Sequence, residues 1–437
     1  MRRPLPFLGR LPDFRRDPIG FLARMSAEQG DVARFRLGPQ NVVLLRHPDD
    51  IRDVLVTYNQ RFVKSRMLQR TRVLLGDGLL TSEEPFHTRQ RKLVQPAFYR
   101  DRLVRYATTM AEKARDAGGR WSDGQTVDLD QEMMRLTLSI VTATLFSANV
   151  EEETAEIGAA MSSILNMFNL LMLPMSEWLI RIPVLPSARR FREARGRLDS
   201  VIYRIIREHR EAHADLGDLL SMLMEVRDEA GSGMSDKELR DEALTLFIAG
   251  HETTAMALNW TWYLLARNPE VEQRFHEELD TVLQGRLPGY DDFARLPVTE
   301  SIFAESMRLF PPAWGIGRRA IAAHTVRGIE YPAGTIFAVS PWVTHRSPTL
   351  WPDPERFDPD RFRGEARAAQ PKFAYFPFGG GPRVCIGERF AWLEGVLVLA
   401  AIGQRWRFEL DPAHRVEPQP LLTLRPKHGI TVTIHRR

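Results

Sequence analysis

The strongest constraint on this chain's fold is a helix signal near its middle. Ser235-Asp-Lys-Glu238 sets an N-cap serine three residues before a glutamate, the pattern of a capping box. No proline follows until Pro269, so the spacing predicts a helix running to about Asn268. At 1.5 Å per residue it covers on the order of 50 Å, the width of a whole domain. Other helices and strands must pack around such an element.

The centre of that helix is poorly made for a helix. It reads Ala249-Gly250-His251-Glu252-Thr253-Thr254, between apolar Leu244, Phe247, Ile248 and Met256, Leu258, Trp260. Glycine costs about 1 kcal/mol against alanine in a helix interior, and threonine is also a weak former. Local conflicts of this kind mark functional sites. A threonine hydroxyl can bond back to a carbonyl and bend the helix. Ala249 and Gly250 leave room for a small molecule above a flat cofactor, and Glu252 and Thr253 supply an acid and an alcohol for a proton relay. The same pattern also suits a kinked helix with solvent-facing polar residues. His251-Glu252 opens a zinc-protease motif, but position 255 is Ala where that motif needs His.

Around this element the chain reads as one domain over 1–437, mainly α with a smaller β portion. Phe35-Arg-Leu37 and Val42-Val-Leu-Leu45 flank Gly38-Pro39 as a hairpin. Gln131 to Phe146 and Phe191 to His213 are amphipathic helical stretches, and Met161 to Leu173 is apolar and methionine-rich. A flexible thioether lining suits a pocket for varied apolar ligands, although methionine stripes are also ordinary core. After about residue 310 prolines, glycines and short strands such as Thr335-Ile-Phe-Ala-Val339 take over.

Cys385 is the only cysteine, so no intramolecular disulfide can form. It lies in Phe378-Gly-Gly-Gly-Pro-Arg-Val-Cys385-Ile-Gly387, where four glycines and a proline leave little side chain to build a core. Such a backbone can approach a flat ligand closely and aim amides at a sulfur. Arg383 favours thiolate. An aromatic, a glycine-rich turn, an arginine and one cysteine describe a thiolate axial ligand for haem iron.

Two further groupings carry charge. Glu305-Ser-Met-Arg308 spaces an acid and a base at i and i+3 among apolar Ile302, Phe303, Met307, Leu309 and Phe310, which predicts a buried pair. Arg356 is the expected third member. Gly315-Ile-Gly317-Arg-Arg-Ala320 superficially fits a dinucleotide fingerprint, but it follows Pro311-Pro312 rather than a buried strand. Arg318 or Arg319 suits an anionic group, as do His87 and Arg91, which share a helix face at i and i+4.

Together these segments resemble, in order and over most of the chain, the cytochrome P-450 family of haem-thiolate monooxygenases. The resemblance implies haem b with Cys385 as proximal ligand and Phe378 beside the sulfur. It implies Arg383, Arg91, His87 and Arg318, with Arg319 as rival, on the propionates. Gly387 belongs to the cysteine segment, and Ala249, Gly250, Glu252 and Thr253 to the oxygen side. Glu305, Arg308 and Arg356 would be a structural triad. The implied reaction is oxygen insertion from O₂ into a small hydrophobic substrate, such as a fatty acid, terpenoid or steroid. That substrate would lie among Met67 to Leu80, Met161 to Leu173, Ala313 to Ile316 and Leu421 to Thr423.

One cysteine cannot hold an iron–sulfur cluster, so electrons are expected from a separate ferredoxin or flavodoxin with its reductase. The formal charge is +4, with basic residues bunched at Arg89, Arg91, Lys92 and Arg100, Arg102, Arg105, a landing face for an acidic partner. No zinc-finger spacing or basic-aromatic interleaving points to nucleic acid. No stretch has the roughly 18 apolar residues of a membrane span, and the N-terminal apolar run is too short for a signal peptide. The expectation is a cytoplasmic monomer without a membrane anchor. A peroxide-driven peroxygenase and a non-catalytic haem sensor are the alternatives.

Overall fold

The computed structural model describes residues 7–147, 186–212 and 217–437. The chain divides into two compact units: Met1–Gln69 with Ala304–Cys385, and Arg70–Phe303 with Ile386–Arg437. Helix dominates and sheet is the smaller part.

The first unit carries a five-stranded sheet. Val32–Leu37 and Gln40–Leu45 form the expected hairpin, turned by Gly38 at φ +59°, a conformation that a side chain disfavours. Gln40–Leu45 pairs in parallel with Ile336–Val339, which pairs antiparallel with Ile316–Ala320, which in turn pairs with Phe62–Lys64. Side chains alternate across a strand, so Val43 and Leu45, and Phe337 and Val339, face one core with Ile51, Val54, Phe62 and Phe376. Burying each such side chain contributes about 1.5–3 kcal/mol. Gly317 lies in an antiparallel strand against Ser65, which excludes the dinucleotide fingerprint.

The second unit is built on the predicted helix, Asp236–Arg267. Its capping box closes both ways: Glu238 N–H donates to Ser235 Oγ and Ser235 N–H to Glu238 Oε2. Asn268 caps its other end, before Pro269. From Leu239 to Leu265 it is buried on nearly every face, with both Trp260 and Trp262 enclosed. Leu129–Leu145 and Glu388–Gly403 pack against it. The amphipathic stretch from Phe191 appears as Pro186–Ala212. A three-stranded sheet (Thr126–Asp128, Thr431–Arg436, Trp406–Leu410) and the hairpin Pro418–Pro420 with Leu424–Pro426 complete the unit. No helix among the described residues is long and apolar enough to cross a membrane. Met161 to Leu173 lies outside the described residues.

Candidate active site

In the first unit the cysteine segment is shaped by its glycines. Gly379 and Gly381 have φ of +76° and +71°. A Cβ at Gly381 would lie 2.0 Å from the Leu55 carbonyl oxygen, and one at Gly380 would lie 2.4 Å from the Phe373 ring. Larger residues cannot follow this path. Cys385 N–H donates to the Phe378 carbonyl at 3.0 Å, closing the loop, and the cysteine is exposed. Arg383 ends the single 3-10 turn Gly381–Arg383.

A buried scaffold leads to this loop. Arg308 and Glu305 are both fully buried and paired through two bonds, Nε to Oε2 at 2.6 Å and Nη2 to Oε1 at 2.8 Å. Arg308 also donates to the carbonyls of His345, Pro354 and Arg356, and Asp358 N–H donates to Glu305. The expected third member, Arg356, therefore enters through its backbone while its side chain is exposed. The second cation beside Glu305 is Arg361, at 3.6 Å. Its spacing from Glu305 carried no local signal. His345 accepts from Phe376 N–H at 2.9 Å, so that ring nitrogen is unprotonated. Burial beside Arg308 and Arg346 holds the imidazole pKa well below its ordinary value. The run ion pair, His345, Phe376, Phe378, Cys385 is continuous.

Arg318 and Arg319 are neighbours on one strand and so face opposite sides of the sheet. Arg318 is buried, with Nη1 3.3 Å from the Gly317 carbonyl; Arg319 Nε is enclosed without a hydrogen bond.

In the second unit Thr253 donates to the Ala249 carbonyl at 2.7 Å, and Thr254 donates to Gly250 at 3.1 Å. These are the expected back-bonds. The solvent-facing reading fails, since His251 and Glu252 are each 1% exposed. The space at Gly250 also has another use than expected: a Cβ there would lie 3.2 Å from Val141, so glycine lets Leu129–Leu145 approach. Glu252 is not bonded to Thr253. Its Oε1 accepts from Thr423 Oγ1 at 2.6 Å and Arg425 Nε at 3.0 Å, while Oε2 is enclosed without a partner. Thr423 and Arg425 escaped sequence reading because nothing local marks them. Glu394 could have been found, as an acid set inside the apolar run of the helix Glu388–Gly403. Complete burial raises its pKa well above the carboxylate range, so it is a neutral acid beside Thr254.

His87 and Arg91 share the helix Phe86–Val94, with His87 buried and its Nδ1 3.3 Å from Glu84. Gly387 is the N-cap of Glu388–Gly403. The landing-face expectation needs correction at two positions. Arg89 is committed to Asp228 and Glu238, and Lys92 to Glu229. The segment Met67 to Leu80 is tied to the long helix where Asp77 and Leu79 N–H donate to Asp241 and Glu242. A cleft of about 250 Å³ there is lined by Asp77, Glu238, Asp241 and Glu242, too polar for an apolar substrate.

An exposed lone thiol fits an iron whose equatorial ligands come from a macrocycle. No group of three His, Cys, Asp or Glu among the described residues could hold a bare ion. The sequence profile of cytochrome P450 matches residues 1–434, and the chain belongs to that family of haem-thiolate oxidoreductases, which bind haem b. It is similar to cyclooctatin synthase of Streptomyces melanosporofaciens, 38% identical over 96% of this chain and 92% of that one. Pentalenene oxygenase of Streptomyces avermitilis is 37% identical over 96% and 93%. Among solved structures, retinoic acid bound cyanobacterial CYP120A1 superposes with a TM-score of 0.89 at 27% identity, covering 99% of this chain and 98% of that one.

Proposed function

We propose that this monooxygenase oxidises a hydrophobic terpenoid, with electrons from a separate ferredoxin or flavodoxin and its reductase, acting as a single cytoplasmic domain. The terpenoid assignment is supported by the relatives, which include a cyclooctat-9-en-7-ol 5-monooxygenase and a pentalenene oxygenase. Haem held by Cys385 supplies O₂ binding and, through thiolate donation, O–O cleavage. The chain's own residues do the rest. Arg383, Arg91, His87 and Arg318 would hold the propionates, with Arg319 the rival at the last position. Phe378 packs beside the sulfur. Ala249 and Gly250 would leave room for a small molecule on the oxygen side, and Glu252 and Thr253 move protons from the interior towards it.

The observation that carries this reading is Glu252, a buried acid with one unpartnered oxygen, next in sequence to a threonine whose hydroxyl bonds back to its own helix. Neither a sensor nor a peroxide-driven enzyme needs that pair. The test is a panel of terpenes, fatty acids and steroids screened for a ferric spin-state shift, followed by turnover under isotopically labelled O₂. Terpenes should shift the spectrum and label should enter the product. A response confined to fatty acids or steroids overturns the substrate class, and turnover supported by peroxide alone overturns the O₂ route. Cys385→Ala should abolish the thiolate-type ferrous–CO band; its persistence would exclude Cys385 as ligand.

A further inference from the structure

Behind Glu252 lies a second carboxylate that the family reading does not use. Asp130, in the first turn of Leu129–Leu145, is partly buried and accepts from Asn259 Nδ2 at 2.7 Å. Asn259 is seven residues beyond Glu252, two turns along the same buried helix. Arg425 acts electrostatically on both acids: it bonds Glu252 directly and is the cation nearest in effect to Asp130. Three polar atoms in this network are enclosed without a hydrogen-bond partner: Glu252 Oε2, Arg425 Nη2 and Asn259 Oδ1. Buried polar atoms are normally satisfied by protein or ordered water, and three together suit a short water-bridged path.

We propose that Asp130 is the proton store for Glu252, with Arg425 as the fixed cation that lets one proton sit on either carboxylate. This rests on the reading of Glu252 as a relay acid. A proton leaves the Asp130 carboxyl and Glu252 gains one. Arg425 then keeps an anionic partner throughout, and the net charge of the trio does not change. Moving the proton thus avoids leaving a buried charge unpaired. Once Glu252 has passed its proton towards the oxygen side and is again the anion beside Arg425, Asp130, being partly exposed, recovers its proton from solvent.

The electrostatics agree. Desolvation, with the pull of Arg425 and the bond from Asn259 against it and with repulsion from Asp128 and Glu252, leaves the Asp130 pKa at about 6. The groups facing Glu252 are Arg425, Thr423 and its neighbour His251, itself held neutral by burial. Because each acid repels the other's charge, protonating Glu252 lowers the affinity of Asp130 for its own proton.

Asp130 and Arg425 are therefore positioning residues, and their signature is a coupled titration. Infrared difference spectra of the holoprotein should show a carboxyl band titrating near 6, removed by Asp130→Asn and displaced by Asp130→Glu. In Glu252→Gln the midpoint should move to lower pH, since a repelling charge is gone. In Arg425→Gln it should move to higher pH, since the attracting cation is gone. Asp130→Asn should also slow proton-limited turnover on the order of tenfold, less than the roughly 10²-fold of a directly acting group. Asp130→Glu should restore most of that rate. If Glu252→Gln uncouples turnover while the Asp130 midpoint stays fixed in both variants, the store is overturned and the relay stands. If Glu252→Gln leaves coupling intact, the relay reading itself falls.

Discussion

Two of the buried carboxylate–arginine pairs among the described residues, Glu305–Arg308 and Glu252–Arg425, are built for opposite ends. In Glu305–Arg308 both carboxylate oxygens are used, and the guanidinium has three backbone carbonyls as well as the acid. In Glu252–Arg425 one oxygen takes both bonds, the other takes none, and an arginine nitrogen is also unpartnered. A saturated pair has nowhere to move, so it can only hold structure. The open pair keeps the spare capacity that the proposed proton relay needs. Burial alone does not distinguish them; the count of satisfied atoms does.

The largest expected difference is in stability. Arg308→Met should cost about 3–5 kcal/mol in denaturant unfolding, because Glu305 is left buried and unpaired. Loss of haem retention should accompany it, since this pair leads through His345 to the cysteine loop. Arg425→Met should cost less, about 1.5–3 kcal/mol, because Glu252 keeps Thr423 and the arginine side chain is 16% exposed. Equal losses at the two sites would break the distinction. Thr253→Ala should keep haem and stability but send electrons to peroxide, with product per electron down roughly tenfold, near 1.4 kcal/mol. Unchanged coupling would remove threonine from the relay.

The smallest effect is in the pH dependence of folding. Asp130 has a folded pKa of about 6 against an ordinary 3.8. Between those values the native state holds more protons than the unfolded one, so stability should fall as pH rises from 3.8 to about 6. Asp130→Asn should flatten that part of the stability curve, with the slope elsewhere unchanged. A steeper slope in the variant would contradict a raised pKa at this site.

Much of this was open to sequence reading. The capping box, the weak helix centre, the hairpin at Gly38 and the cysteine segment are local patterns, and local geometry follows from nearest-neighbour sterics and hydrogen bonding. Two expectations needed correction where partners are distant. Arg356 was assigned by its charge, yet it serves through its carbonyl and Arg361 supplies the cation. Arg89 and Lys92 were read as a free surface, but they are paired with acids well over a hundred positions away.

By itself the sequence determined the helix that organises the second unit and the thiol loop that defines the class. It also determined the chemistry of the residues set at each. The local Glu305–Arg308 pair was legible at i and i+3, but only the tertiary structure decided which charges face one another across elements. Glu252 meets Thr423 and Arg425 from a hairpin more than 170 positions on, and Asp130 meets Asn259 across two helices. Such pairings depend on packing of whole elements, and no spacing along the chain records them.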